Sequence, residues 1–210
     1  MRRATAVSLT CILLMLVMAP TIGGFDKFKN APGKYKDVED IDQLQIMQAF
    51  NVADYTTLIV AAFDNTATPL PEKSDNTWVP VQRTLKMTTT TFTLSLDKTL
   101  DKVLTVKEAE GGAPPATPKT LLLRAKVVEM NPGSRAARYF AGFGAGKASV
   151  VIGGEMVDAA TNQVLFSFQS TDYATGMGSG AGGDYESVLN ACIKVIGERV
   201  GDLLKLFKNA

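Results

Sequence analysis

The sequence predicts an α/β (α+β) sandwich, a mixed β-sheet packed against helices with a long C-terminal helix. Three observations predict it. Tyr55 to Phe63 and Leu121 to Met130 are apolar runs rich in branched side chains, as buried strands are. Val150 to Val157 and Val164 to Ser170, separated by the turn residues Asp158 to Asn162, read as a hairpin. Tyr185, Val188, Leu189, Cys192, Ile196, Val200, Leu203, Leu204 and Phe207 recur at helical spacing and trace one apolar stripe. Strands and an amphipathic helix each have an apolar face to hide, and a layered sandwich hides both. With 210 residues, 46% apolar and 20% charged, the chain is long enough to fill one such core.

Taken in order, the first element is a signal peptide over residues 1–24. Arg2 and Arg3 precede an uncharged run from Ala4 to Phe25 whose apolar centre is Val7 to Ala19. Gly23 and Gly24, after the helix-breaking Pro20, are the expected cleavage sites. The alternative is an uncleaved anchor in the inner membrane, since the run is just long enough for a hydrocarbon core of about 30 Å. Polar Thr5, Ser8, Thr10 and Thr21 weigh against it. Cys11 sits in mid-run and is unsuited to lipid attachment, and Ala-Thr-Ala after the arginine pair lacks the twin-arginine continuation. The expected location is therefore the periplasm or the exterior, reached by the general secretory route.

Residues 25–50 read as a charged leader or linker containing Pro32 and Gly33, with a short helix over Val38 to Phe50 on the roughly helical spacing of Ile41, Leu44, Ile46, Met47 and Phe50. One globular domain is expected over 51–210. Its first strand ends at Asp64-Asn65, and Pro69 and Pro71 mark a loop. From Trp78 to Leu100 two signals conflict. Val81, Leu85, Phe92, Leu96 and Leu100 suit a helix, whereas Thr88 to Thr91 suit a strand; the helix is favoured. Val103 to Val106 reads as a strand, and Gly111-Gly112 with Pro114, Pro115 and Pro118 as a surface loop. Leu121 to Met130 then ends at the Asn131-Pro132-Gly133 turn. A glycine-rich loop spans Gly176 to Gly183, and Asp184 is the expected N-cap of the last helix, where Gly197 and Gly201 permit close packing on the sheet.

The composition excludes several classes of chemistry. There is no histidine, which removes serine triads and the commonest metal ligand. Losing Arg2 and Arg3 with the signal leaves 20 basic residues against 21 acidic, a net charge of −1 that does not suit nucleic acid. Losing Cys11 as well leaves Cys192 alone, with no internal disulfide, and its place on the apolar stripe makes it a small, inert core residue. Gly142-Phe143-Gly144-Ala145-Gly146-Lys147 resembles a phosphate loop, but Ala141 and Ala148 stand where that motif needs glycine and Ser or Thr, so no nucleotide is expected. Gly142, Gly144 and Gly146 are read as alternate positions of an extended segment. Glu39-Asp40-Ile41-Asp42 lacks the spacing and glycine of a calcium loop. No cofactor or metal is expected.

Asn131-Pro132-Gly133-Ser134-Arg135-Ala136-Ala137-Arg138-Tyr139, Gly142-Phe143-Gly144-Ala145-Gly146, and the hairpin with Asp158 and Thr161 together resemble the bacterial envelope family called domain of unknown function 4410. The likeness covers about Tyr55 to Phe207 and is most specific between Gly133 and Phe168. It implies a secreted or envelope protein and a fold similar to periplasmic modules of the curli secretion lipoprotein and the Tol propeller protein. It implies no catalytic residues.

The reading is of an exported, non-enzymatic envelope protein, an interaction or assembly module that binds another envelope protein or itself. The membrane is a partner only if the signal segment stays attached. Arg135, Arg138, Phe143 and Lys147 are the candidate contact residues. Two other classes stand beside it: an envelope glycan hydrolase using a carboxylate pair such as Asp64 and Asp158, and a small-ligand carrier, which needs an apolar cavity.

Overall fold

A computed structural model describes residues 28–110, 117–134, 146–174 and 184–208. The strands are β1 (Gly33–Tyr35), β2 (Gln43–Ile46), β3 (Thr57–Val60), β4 (Thr105–Glu108), β5 (Thr120–Asn131), β6 (Ala148–Asp158) and β7 (Gln163–Ala174). Among the described residues the long helices are α1 (Trp78–Thr99) and α2 (Tyr185–Leu206). Among the described residues the strands form one sheet in the order β1-β2-β7-β6-β5-β3-β4. It is antiparallel from β1 to β5, whereas β3 runs parallel to both β5 and β4. The mixed sheet and the long closing helix are those the sequence predicts.

Alternation within the strands decides which face is covered. In β5, Leu121, Leu123, Ala125 and Val127 are buried while Arg124 and Lys126 are exposed. In β7, Phe166, Phe168 and Ser170 are buried beside half-exposed Ser167 and Gln169. The buried set meets α2, whose Val188, Leu189, Ile193, Ile196, Val200 and Leu204 are all sealed in the same core. Asp184 caps α2 through a 2.6 Å bond from the Ser187 amide.

The conflict over Trp78 to Leu100 resolves as a helix. The hydroxyls of Thr84, Thr88 and Thr99 donate to the carbonyls four residues back, so the β-branched residues find partners within the helix. Phe92 and Leu96 are fully buried. Gly197 and Gly201 do permit a close approach, but to α1 rather than to the sheet: a Cβ at Gly201 would lie 2.6 Å from Thr99 Cγ2. The two helices thus form one layer, linked also by Ser95 Oγ donating to the Lys194 carbonyl at 2.7 Å.

Residues 33–46 are not a linker. The expected helix over Val38 to Phe50 is replaced by β2, with Leu44 and Ile46 buried and Gln43 exposed. Asp37, Glu39 and Asp40 have positive φ, which no helix accommodates. What organises this stretch is aromatic packing across the fold. Phe50 stacks on Phe207 at 4.5 Å between ring centroids, Phe207 stacks on Phe166 at 5.3 Å, and the Val52 amide donates to the Phe207 carbonyl. Spacing of 3 along Ile41, Leu44, Met47 and Phe50 imitates a helix; the pairing of β2 with β7 selects period 2. Among the described residues no helix is long and apolar enough to cross a membrane.

Candidate interaction surface

Because both helices lie over one face of the sheet, the side chains of the other face project away from the core. They stand in register as rows. Arg124, Glu155, Ser167, Gln45 and Lys34 form one row from β5 to β1, and Lys126, Gly153, Gln169 and Gln43 form the next. Two rows on, Ser149 pairs with Tyr173, whose side chain is among the most exposed of the large ones.

Gly153 gives this face its relief. It has no side chain between Lys126 and Gln169, and a groove of about 370 Å³ lies there, lined by Asp64, Arg124, Lys126, Gly153, Glu155 and Ser167. Ser167 also borders a second groove of about 490 Å³ that runs to Gln45, Gln43, Lys34 and Lys36. Val128 leans over the glycine, since a Cβ built there would stand 3.3 Å from Val128 Cγ2. The lining carries cations, carboxylates, amides and a hydroxyl. Such a surface binds through hydrogen bonds and paired charges, unlike the apolar cavity that a carrier of small lipophilic molecules needs.

Two of these charges are held by polar neighbours at the surface. Arg124 Nη2 donates to Asn162 Oδ1 at 2.6 Å. Asp64 accepts from the Thr66 hydroxyl at 2.6 Å and the Thr66 amide at 3.1 Å. Those two bonds hold its carboxyl below the usual carboxylate range, and Lys126 adds a smaller pull in the same direction.

The carboxylate pair of the hydrolase reading is not assembled. The Asp64 amide donates to the Ala125 carbonyl, whereas Asp158 pairs with Leu121, four residues earlier on β5. At about 3.3 Å per residue that offset is about 13 Å, beyond the spacing of glycosidase carboxylates. Asp158 is a turn residue, as expected: Oδ1 accepts from the amides of Ala160 and Thr161 and from the Thr161 hydroxyl, and Oδ2 accepts from the Tyr55 hydroxyl at 2.8 Å. Partial burial pushes its carboxyl up, but these bonds outweigh it and leave it below the usual range. Burial and the Asp158 carboxylate together raise the Tyr55 hydroxyl well above the usual phenol range.

Of the contact residues predicted from sequence, Arg135, Arg138 and Phe143 lie outside the described residues. Lys147 is exposed, at the foot of the β5–β6 connection. That connection is pinched at its base. Gly133 has φ of +66°, a Cβ on it would collide with the carbonyls of Gly146 and Lys147, and the Ser134 amide donates to the Gly146 carbonyl at 3.2 Å. Gly146 has φ of +69°, so it is a turn residue and not part of an extended segment. Gly142 and Gly144 fall outside the described residues. Sequence reasoning passed over Lys126, Gly153 and Ser167; the outward alternation of β5 and β7 was the available signal, and the row they form needs the register.

Three solved structures are similar at low identity. The PelC dodecamer from Paraburkholderia phytofirmans is 14% identical, covering 75% of this chain and 94% of that one, with a TM-score of 0.43. Protein XCC0632 from Xanthomonas campestris is 9% identical, covering 72% and 84%, with a TM-score of 0.42. The hypothetical protein CT253 from Chlamydia trachomatis is 10% identical, covering 72% and 99%, with a TM-score of 0.39. None of these three is the curli secretion lipoprotein or the Tol propeller protein, so that part of the expected kinship gains no support from them. No curated protein matches. Residues 58–177, more than half of the chain, match the family described as "Domain of unknown function (DUF4410)", and the chain belongs to that family.

Proposed function

We propose that the protein is an exported component of the bacterial cell envelope that acts by binding rather than by catalysis, and that the sheet face opposite α1 and α2 is the contact surface. The observation that carries this reading is the one-sided layering. Two helices seal one face, while the other keeps a side-chain-free notch at Gly153 with Lys126, Glu155 and Ser167 around it. The signal-like segment before Phe25 supports export, and the resemblance of the Gly133 to Lys147 segment to envelope proteins supports the location. The pinched neck at Gly133 and Gly146 stands at one end of the sheet, next to the row in which Asn131 pairs with Ser149 and Ser149 with Tyr173.

Two measurements test it. Intact mass with cell fractionation of the natively expressed protein is expected to give a soluble species trimmed near Phe25; a full-length, membrane-bound species overturns the soluble, exported reading. A photo-crosslinking residue in place of Ser167 is expected to form an adduct in intact cells with an envelope protein, and Gly153→Gln, which fills the notch, is expected to abolish it in a folded chain. An adduct undiminished by Gly153→Gln removes the notch from the contact.

A further inference from the structure

The outer face of α1 repeats with a spacing that its own fold does not use. Arg83, Met87, Thr90, Leu94 and Asp97 recur at intervals of 4, 3, 4 and 3, which puts them on one side of the helix. That side faces away from the core, because Val81, Thr84, Thr88, Phe92 and Leu96 occupy the inner face. Met87 and Leu94 are 53% and 65% exposed, the two most exposed large apolar residues of α1.

The seam is complementary to itself when reversed. Thr90 is its midpoint, with Arg83 two turns before it and Asp97 two turns after, each about 10 Å away along the axis. Met87 and Leu94 flank the midpoint at about one turn on either side. An antiparallel copy of α1 centred on Thr90 therefore places Arg83 against the partner's Asp97, Met87 against the partner's Leu94, and the small Thr90 against its own twofold mate. Each contact occurs twice, as a closed twofold interface requires. A parallel copy would instead set Arg83 against Arg83 and Asp97 against Asp97. Arg83 is paired with Glu186 of α2 at 3.2 Å, but its side chain stays largely exposed and such a pair is of modest strength, so it can be exchanged for a partner's carboxylate.

We infer that this face of α1 binds a second copy of the chain, giving an antiparallel twofold dimer through Arg83, Met87, Thr90, Leu94 and Asp97. The inference is independent of the sheet-face reading, which uses the opposite side of the molecule. A seam of this length lies at the small end of specific interfaces, so the dimer is weak and dependent on concentration.

Sedimentation of the processed protein over a wide concentration series is expected to show reversible dimerisation. Arg83→Asp alone, or Asp97→Arg alone, sets like charges together twice per dimer and is expected to weaken association by about tenfold, given the modest value of exposed ion pairs. The double swap, Arg83→Asp with Asp97→Arg, restores complementarity and is expected to recover most of the loss. Thr90→Cys is expected to form an intermolecular disulfide, mapped to position 90, far faster than Lys36→Cys on the other edge of the fold. A species that stays monomeric throughout, single reversals without effect, a double swap no better than the singles, or equal crosslinking at 90 and 36 would each overturn the inference.

Discussion

Gly197 of α2 sits directly beneath the backbone of Phe92 in α1, so near that a Cβ at position 197 would lie 2.9 Å from the Phe92 carbonyl oxygen. One turn on, Gly201 is as tight against Thr99. The helix layer owes its closeness to these two residues, and among the described residues both long helices pack on the same face of the sheet.

Replacing Gly197 by alanine raises helix propensity by about 1 kcal/mol but forces a backbone clash, and overpacking of a tight site costs about 1–3 kcal/mol. The expected outcome is a net loss, read as a lower denaturant midpoint with an unchanged slope. Gly153→Ala is the control, because Val128 beside it is partly exposed and can move. That change is expected to alter stability by less than about 0.5 kcal/mol.

Asp158 stabilises the β6–β7 turn as a carboxylate. Its folded value is lowered, so the stabilisation is full above the unfolded carboxylate value and is lost as pH falls through the lower folded value. Asp158→Ala is expected to cost about 1 kcal/mol at neutral pH, in keeping with exposed hydrogen bonds to a charged acceptor. The gap from the parent should close in strongly acidic solution. Urea titrations at neutral and acidic pH check this, and a gap that widens on acidification would contradict the assignment.

Arg199 and Asp172 form the most sequestered ion pair among the described residues, at 2.9 Å with both side chains largely covered. Arg199 also donates to the Thr171 carbonyl, tying α2 to β7. Asp172→Ala leaves the guanidinium without its carboxylate and is expected to cost about 3 kcal/mol. Asp172→Asn, which keeps an acceptor oxygen, is expected to cost less. Thermal unfolding of the two variants distinguishes them.

Burial, helped by Asp172, pushes the Cys192 thiol up to about 12. In the native protein the thiol is therefore expected to react with maleimide or disulfide reagents only as fast as the structure opens. Labelling followed by mass spectrometry, with and without denaturant, measures this. Prompt native labelling would mean that α2 lifts from the sheet.

Gly133→Ala places a side chain at a left-handed φ and against the carbonyls of Gly146 and Lys147. It is expected to destabilise by more than about 1 kcal/mol through strain at the neck of the β5–β6 connection. Gly33→Ala, where a Cβ meets only the Tyr35 ring at 3.4 Å, is expected to be mild by comparison.

Elements with strong local periodicity were legible in the chain alone. The stripe from Tyr185 to Phe207 and the Asp184 cap set α2, the alternation from Val164 to Ser170 set β7, and Asp158 announced the turn before it, because each of these signals lies within one turn of helix or a few strand residues. Even the threonine-rich α1 was readable, since Thr84 and Thr88 satisfy their hydroxyls on their own helix. The remaining features depend on contacts between distant parts of the chain. Leu44 and Ile46 became strand residues because β7 offered them a partner, and Phe50 joined the core because Phe207 and Phe166 lay opposite. The row from Arg124 to Lys34, on the face opposite α1 and α2, comes from five strands far apart in sequence, and its existence depends on two helices choosing the same face. That choice rests on Gly197 and Gly201 meeting α1 rather than the sheet, a contact between residues about a hundred apart, which no local pattern encodes.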